Sequence, residues 1–148
     1  QEIKVPHWER GTKESAWFRT SDGQLTKVHL LALGGSIGAV LRYLMSIFMI
    51  QVFGSSFPFG TLLVNVLGSF FMGIVYGLGQ LSHLSPEVKS LVGVGLLGAL
   101  TTFSTFSNET LLLMQEGLWF KSMLNVLLNV TLCLFMVYLG QQLIFSRV

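Results

Sequence analysis

The sequence predicts an all-α membrane protein whose four helices cross the bilayer, the third of them broken at membrane depth. Three features predict it. Charged residues make up only 11% of the 148, about half of what a soluble domain carries. The charges are also segregated: none lies between Arg42 and Glu87, between Lys89 and Glu109, or between Lys121 and Arg147, and each gap has room for a crossing of roughly 20 apolar residues. Finally, a run rich in hydroxyls, "GALTTFSTFSNE" at 98–109, sits inside an otherwise apolar stretch.

Residues 1–27 hold five basic and four acidic residues without a clean period and read as a polar tail. Its rings, Trp8, Trp17 and Phe18, suit a membrane interface. The segment equally suits a cloning remnant, since it starts with Gln and shows no signal-peptide pattern. The first span is expected over 28–52, the second over 59–81, the third over 87–114 and the fourth over 118–144. The connections "FGSSFP", "SHLSPE" and "QEGLW" carry the Gly, Pro and Ser of turns. Residues 28–146 thus form one membrane module with no space for a soluble domain.

Four spans place both ends of the module on one side of the membrane. Lys89 and Arg147 fall on that side and Lys121 on the other. Orientation follows Lys and Arg asymmetry, so a bias this small lets the module insert either way up, whereas counting the tail favours a cytoplasmic location for its side.

Composition also excludes functions. A net charge of +2 is too small for a nucleic-acid partner, which needs a concentrated basic face. One cysteine, Cys133, excludes an intrachain disulfide. His7, His29 and His83 fall in the tail, at the start of a span and in a loop, and no metal cluster or phosphate loop is present. An enzyme is not expected.

Polar residues inside the spans carry the functional signal. Gly34 and Gly38, and Gly73 and Gly77, are spaced by four and offer flat faces for helix packing. Asn65 and Ser69 share the face of Gly73 and Gly77. Asn125, Asn129 and Cys133 share a face of the fourth span, with Ser122 one turn earlier. A carboxamide at membrane depth serves either as glue between helices or as part of a polar path. In the third span, Gly93, Gly95 and Gly98 weaken the helix. Thr101, Thr102, Ser104, Thr105 and Ser107 can either bond to carbonyls one turn earlier or satisfy groups freed by a break. Phe103 and Phe106, three apart, face one way in a helix; they read as core or lipid-facing rings, or as ring edges whose partial positive charge attracts a small anion. Glu109 lies near the end of the uncharged stretch, and Arg42 either snorkels or raises the potential of a vestibule.

"GGSIGAVLRY" at 34–43, "GTLLVN" at 60–65 and "GALTTFSTFSNE" at 98–109 closely resemble the Fluc (CrcB) fluoride channels, in order and spacing, over roughly residues 28–146. The resemblance implies passive fluoride export that relieves fluoride toxicity, a location in the plasma membrane (the inner membrane in a bacterium), and an antiparallel dual-topology homodimer with two pores and a structural sodium ion at its interface. Carried onto this sequence, the carbonyls of Gly98 and Thr101 hold the sodium, Phe103 and Phe106 line the pore, and Asn65 donates toward them. Ser104, Thr105 and Glu109 extend the fluoride path, and Arg42 stands near its entrance. Where the family often has Tyr, Ser and Ser on the fourth span, this chain has Asn125, Asn129 and Cys133; Asn still donates, but a thiol is a weaker donor. Two other readings compete: a small exporter of organic cations or protons, which wants an acid deep in the first span, and a structural subunit in which the polar stripes are only glue.

Overall fold

The computed structural model describes residues 24–147; Trp8, Trp17 and Phe18 of the expected tail lie outside them. Helix α1 is Gln24–Phe53 and α2 is Phe59–Gln80. The third crossing is composite: α3 (Pro86–Val88), a π-helical stretch (Lys89–Leu97), α4 (Gly98–Leu100) and, after two extended residues, α5 (Phe103–Gln115). Helix α6 is Trp119–Phe145. Four helical segments are long and apolar enough to span a membrane: Leu25–Phe53, Phe59–Gln80, Pro86–Gln115 and Trp119–Phe145.

Local chemistry sets the ends. The chain leaves α1 through Gly54 and leaves α5 through Gly117, both with φ of 76°, a left-handed conformation that glycine adopts without a Cβ penalty. Ser85 accepts from the N–H of Val88, and Pro86 occupies the first turn of α3, where its missing N–H costs nothing. The first spanning segment includes Leu25–Lys27, ahead of the expected start at 28.

Lipid tails are as apolar as leucine, so membrane helices associate through close backbone approach rather than through the hydrophobic effect. The glycines supply it. A Cβ on Gly34 or Gly38 would run into the carbonyl oxygens of Leu91 and Leu96, so α1 lies directly on the π-helical stretch. On the other side Gly73 of α2 and Gly140 of α6 face each other: a Cβ on the first would strike Val137 O, and one on the second Phe70 O. Gly68 accommodates the methyl group of Thr101 in the same way, bringing α2 against the break.

The burial pattern differs from that of a soluble bundle: polar side chains share the interior with apolar ones. Val64, Val75, Leu97 and Leu100 form a small apolar cluster. Thr61, Asn65, Thr102, Thr110, Ser122, Asn125 and Asn129 are buried with it, whereas Leu33, Phe48 and Leu134 are exposed. Polar groups satisfied inside and apolar groups outside are what a hydrocarbon solvent demands.

Adding one methyl group should separate the two kinds of glycine. Gly140→Ala should force α2 and α6 apart, an overpacking worth about 1–3 kcal/mol, and lower the thermal midpoint of the purified protein. Gly35→Ala, whose Cβ meets nothing within 4 Å, should melt like the parent.

Candidate functional site

The site is built on the interruption between α4 and α5. Thr101 (φ −78°, ψ 154°) and Thr102 (φ −151°, ψ 118°) are extended, so the expected break falls after "GAL". In a continuous helix the N–H of Thr102 would bond to the carbonyl of Gly98. Here it is donated to Asn65 Oδ1 at 2.8 Å, while Asn65 Nδ2 donates back to Thr102 O at 3.1 Å. One carboxamide thus pairs with both backbone groups of a single extended residue, as a neighbouring strand would.

Asn65 Nδ2 also donates to Asn129 Oδ1 at 2.9 Å. Asn129 Nδ2 donates to Asn125 O and to Asn125 Oδ1, each at 3.0 Å. Asn125 Nδ2 donates to Thr110 Oγ1 at 3.0 Å, and Thr110 Oγ1 to Phe106 O at 2.7 Å. Ser122 Oγ donates to Thr110 O at 3.1 Å. The two expected polar stripes therefore meet in one buried network.

The hydroxyl run divides its work. Thr101 Oγ1 donates to Leu97 O at 3.0 Å and Ser107 Oγ to Phe103 O at 2.8 Å, both one turn back. Thr102 Oγ1 caps α5, accepting from the N–H of Thr105 at 3.1 Å and donating to Thr105 Oγ1 at 3.0 Å. Ser104 Oγ lies 3.2 Å from the same cap oxygen.

Two concave surfaces flank α5. One, of about 430 Å³, is lined by Asn65, Ser69, Thr102, Phe103, Phe106 and Cys133 among others, including Asn129. The other, of about 360 Å³, includes Ser46, Thr61, Thr105, Glu109 and Glu116. The Phe103 and Phe106 rings lie 5.4 Å apart, tilted by 53°, on the first of these. Phe106 is 7% exposed but Phe103 is 78% exposed. In the second, Thr61 Oγ1 donates to Glu109 Oε1 at 2.8 Å, and Glu109 Oε2 is buried with no partner among the described residues. Asn125 lines neither surface, and nor does Arg42, which is half-buried in α1.

Gly98 is exposed and Thr101 half-buried. Because the N–H of Thr102 turns to Asn65, the Gly98 carbonyl is released from its helical partner. A freed carbonyl at an open position is a hard oxygen donor that fits a hard cation. Among the described residues no group of His, Cys, Asp and Glu could hold a metal by side chains.

Thr61 and Thr110 were not singled out by the sequence. Thr61 carries a usable signal, since it lies four residues before Asn65 and completes the stripe of Asn65 and Ser69. Thr110 carries none until α5 and α6 are known to be neighbours.

A model of the family described as "CrcB-like protein, Camphor Resistance (CrcB)" matches residues 29–141. The chain is 86% identical over 124 residues to the "Fluoride-specific ion channel FluC" of Shewanella frigidimarina, an alignment covering 84% of this chain and 100% of that relative. It is 84% identical over 124 residues to the channel of the same name from Shewanella denitrificans, with the same coverage. Against that of Shewanella oneidensis it is 82% identical over 119 residues, 80% of this chain and 96% of the relative.

Asn65→Leu would keep the side-chain volume but strip both partners from Thr102, at about 1–3 kcal/mol for each buried group left unsatisfied. The expected result is a clear drop in the unfolding midpoint in detergent. An unchanged midpoint would mean that water or backbone relaxation replaces the carboxamide.

Proposed function

The chain belongs to the CrcB-like family, and from that premise we propose that it is a fluoride-selective channel through which fluoride leaves the cell passively, relieving fluoride toxicity. It is a multi-pass membrane protein with four spanning helices and not an enzyme. Its bacterial relatives favour the inner membrane as its location. The observation that carries the reading is a helix break at membrane depth with two phenyl rings on the turn that follows, facing a cavity that also exposes a carboxamide and a thiol.

Fluoride is small and strongly hydrated, so a selective path must replace water with close donors. Ser104 and Thr105 offer hydroxyls on the exposed side of α5, and Phe103 and Phe106 offer ring edges with partial positive charge. Asn65, Asn125, Asn129 and Cys133 form the polar flank in this reading, Thr105 leads on to Glu109, and Arg42 raises the potential of a vestibule. No Lys or Arg lies between 90 and 120, so no full positive charge traps the ion.

The proposed assembly is an antiparallel, dual-topology homodimer. Its support is physical: a ring 78% exposed beside a buried one is half of a lined passage, and the near-nil Lys and Arg bias of the loops permits both insertions. A sodium ion at the interface would be held by the Gly98 and Thr101 carbonyls of both protomers. When bound, it would neutralise carbonyl dipoles converging from two chains. The alternative of a cation or proton exporter wants an acid in the first span, and α1 has none.

Fluoride electrode recordings from liposomes containing the purified protein test the reading. Fluoride should escape rapidly while chloride stays, and Phe106→Ile should abolish efflux in a protein that still elutes as a dimer. Fluoride retention by well-folded dimers would reject the channel. Replacing sodium by N-methylglucamine should slow efflux severalfold and weaken the dimer, whereas unchanged efflux and assembly would reject the ion site.

A further inference from the structure

Asn125 and Asn129 invite assignment as ion ligands, but their hydrogen bonds point elsewhere. Asn125 is 0% exposed and lines neither surface beside α5. Its Nδ2 donates to Thr110 Oγ1, and its Oδ1 and main-chain O both accept from Asn129 Nδ2. Thr110 is 8% exposed and passes its own proton to Phe106 O. Asn129 Oδ1 accepts from Asn65, which pairs with the backbone of Thr102.

Followed end to end, the bonds run from Phe106 O through Thr110, Asn125, Asn129 and Asn65 to Thr102. Both ends lie on the first turn of α5, the turn that carries Phe103 and Phe106. The chain of side chains thus closes a loop that borders the cavity at Asn65 and Asn129 and runs behind its wall at Asn125 and Thr110, and it fixes that turn against α2 and α6. We propose that Thr110 and Asn125 are positioning residues: they brace the break so that the two rings keep their spacing, and Asn125 acts through this brace rather than by contacting fluoride.

The physical argument is one of satisfied donors. An unpaired amide in a low-dielectric interior is costly, and carboxamides that satisfy one another form a rigid unit. For Asn125 to bind an ion it would have to release Thr110, leaving that hydroxyl with a single partner, and reach a cavity it does not line. Thr110 is buried, lines neither surface and has its hydroxyl engaged by Phe106 O and Asn125, so it is not placed as a ligand, yet the brace depends on it as much as on Asn125. That difference makes the idea testable.

The inference rests on the fluoride-channel reading, so the experiment includes a readout that does not need conduction. Full-length parent, Thr110→Val, Thr110→Ser, Asn125→Leu and the Thr110→Val/Asn125→Leu double variant would be compared in liposomes for fluoride and chloride efflux. In detergent, amide hydrogen exchange would be followed over residues 102–106 by mass spectrometry. The brace predicts about tenfold slower fluoride efflux and a measurable chloride leak for each single variant, with the double no worse than the more affected single. It also predicts exchange over 102–106 at least tenfold faster in Thr110→Val, and parent behaviour in Thr110→Ser, which keeps the hydroxyl. Parent-like efflux and exchange in Thr110→Val would overturn the proposal whether or not Asn125→Leu folds, and if Asn125→Leu alone lost efflux, Asn125 would be an ion ligand after all. Should the parent itself pass no fluoride, the channel reading fails, and the exchange result still decides whether the brace exists.

Discussion

A hydrocarbon interior offers no water to a freed peptide group, and every other feature of this protein is arranged around that constraint at Thr102. Extending the chain at Thr101 and Thr102 takes the N–H of Thr102 away from its helical partner, and in lipid each unsatisfied group would cost several kcal/mol. Asn65 answers with an acceptor and a donor on separate atoms of one carboxamide, and its second N–H is left for Asn129, whereas a hydroxyl has only one proton to donate. The break is therefore a property of two spans together. The extended Thr102 takes both of its backbone partners from Asn65 of α2.

That dependence explains the glycines. To place a short carboxamide within bonding distance of another helix's backbone, the helices must approach more closely than Leu or Phe would allow. Gly68 lets Thr101 lie against α2, three residues from Asn65, and the Gly73 and Gly140 pair draws α6 in so that Asn129 reaches Asn65. Gly34 and Gly38 do the same for α1 and the π-helical stretch. Close approach and polar burial are thus one device. Most bulky residues of α1 and α6 face outward, where lipid is the partner.

The gaps in charge made the four spans legible, because the cost of burying a charge in lipid dwarfs every local preference. The break was legible in outline, since glycines followed by hydroxyls in an apolar run both weaken a helix and offer substitutes for its bonds. The π-helical register of Lys89–Leu97 was not, because hydropathy reports which residues are buried and not which carbonyl each N–H meets. The pairing of Asn65 with Asn129, and of Asn125 with Thr110, was hidden for another reason: each stripe is visible on its own helix, but which stripes face each other depends on the adjacency of α2, α5 and α6. Gly140, alone in its span, has no companion four residues away to advertise it, yet it is as tightly packed as Gly73.

One break also has two electrical faces. Helix α4 ends with the Gly98 carbonyl released by the turn of the Thr102 N–H, and α5 begins a few residues later. Aligned peptide dipoles make the first end partially negative and the second partially positive, and in a low-dielectric surrounding neither is screened as it would be in water. An uninterrupted third span would present neither end within the membrane. A single interruption can therefore offer carbonyls toward a cation on one side and a favourable potential for an anion, beside Phe103 and Phe106, on the other. Half-charges, unlike a lysine or arginine, leave the anion bound weakly enough to move on. That is why the proposed path can dispense with a basic residue at its middle, and why the geometry of Thr101 and Thr102 matters more to it than the identity of any one hydroxyl.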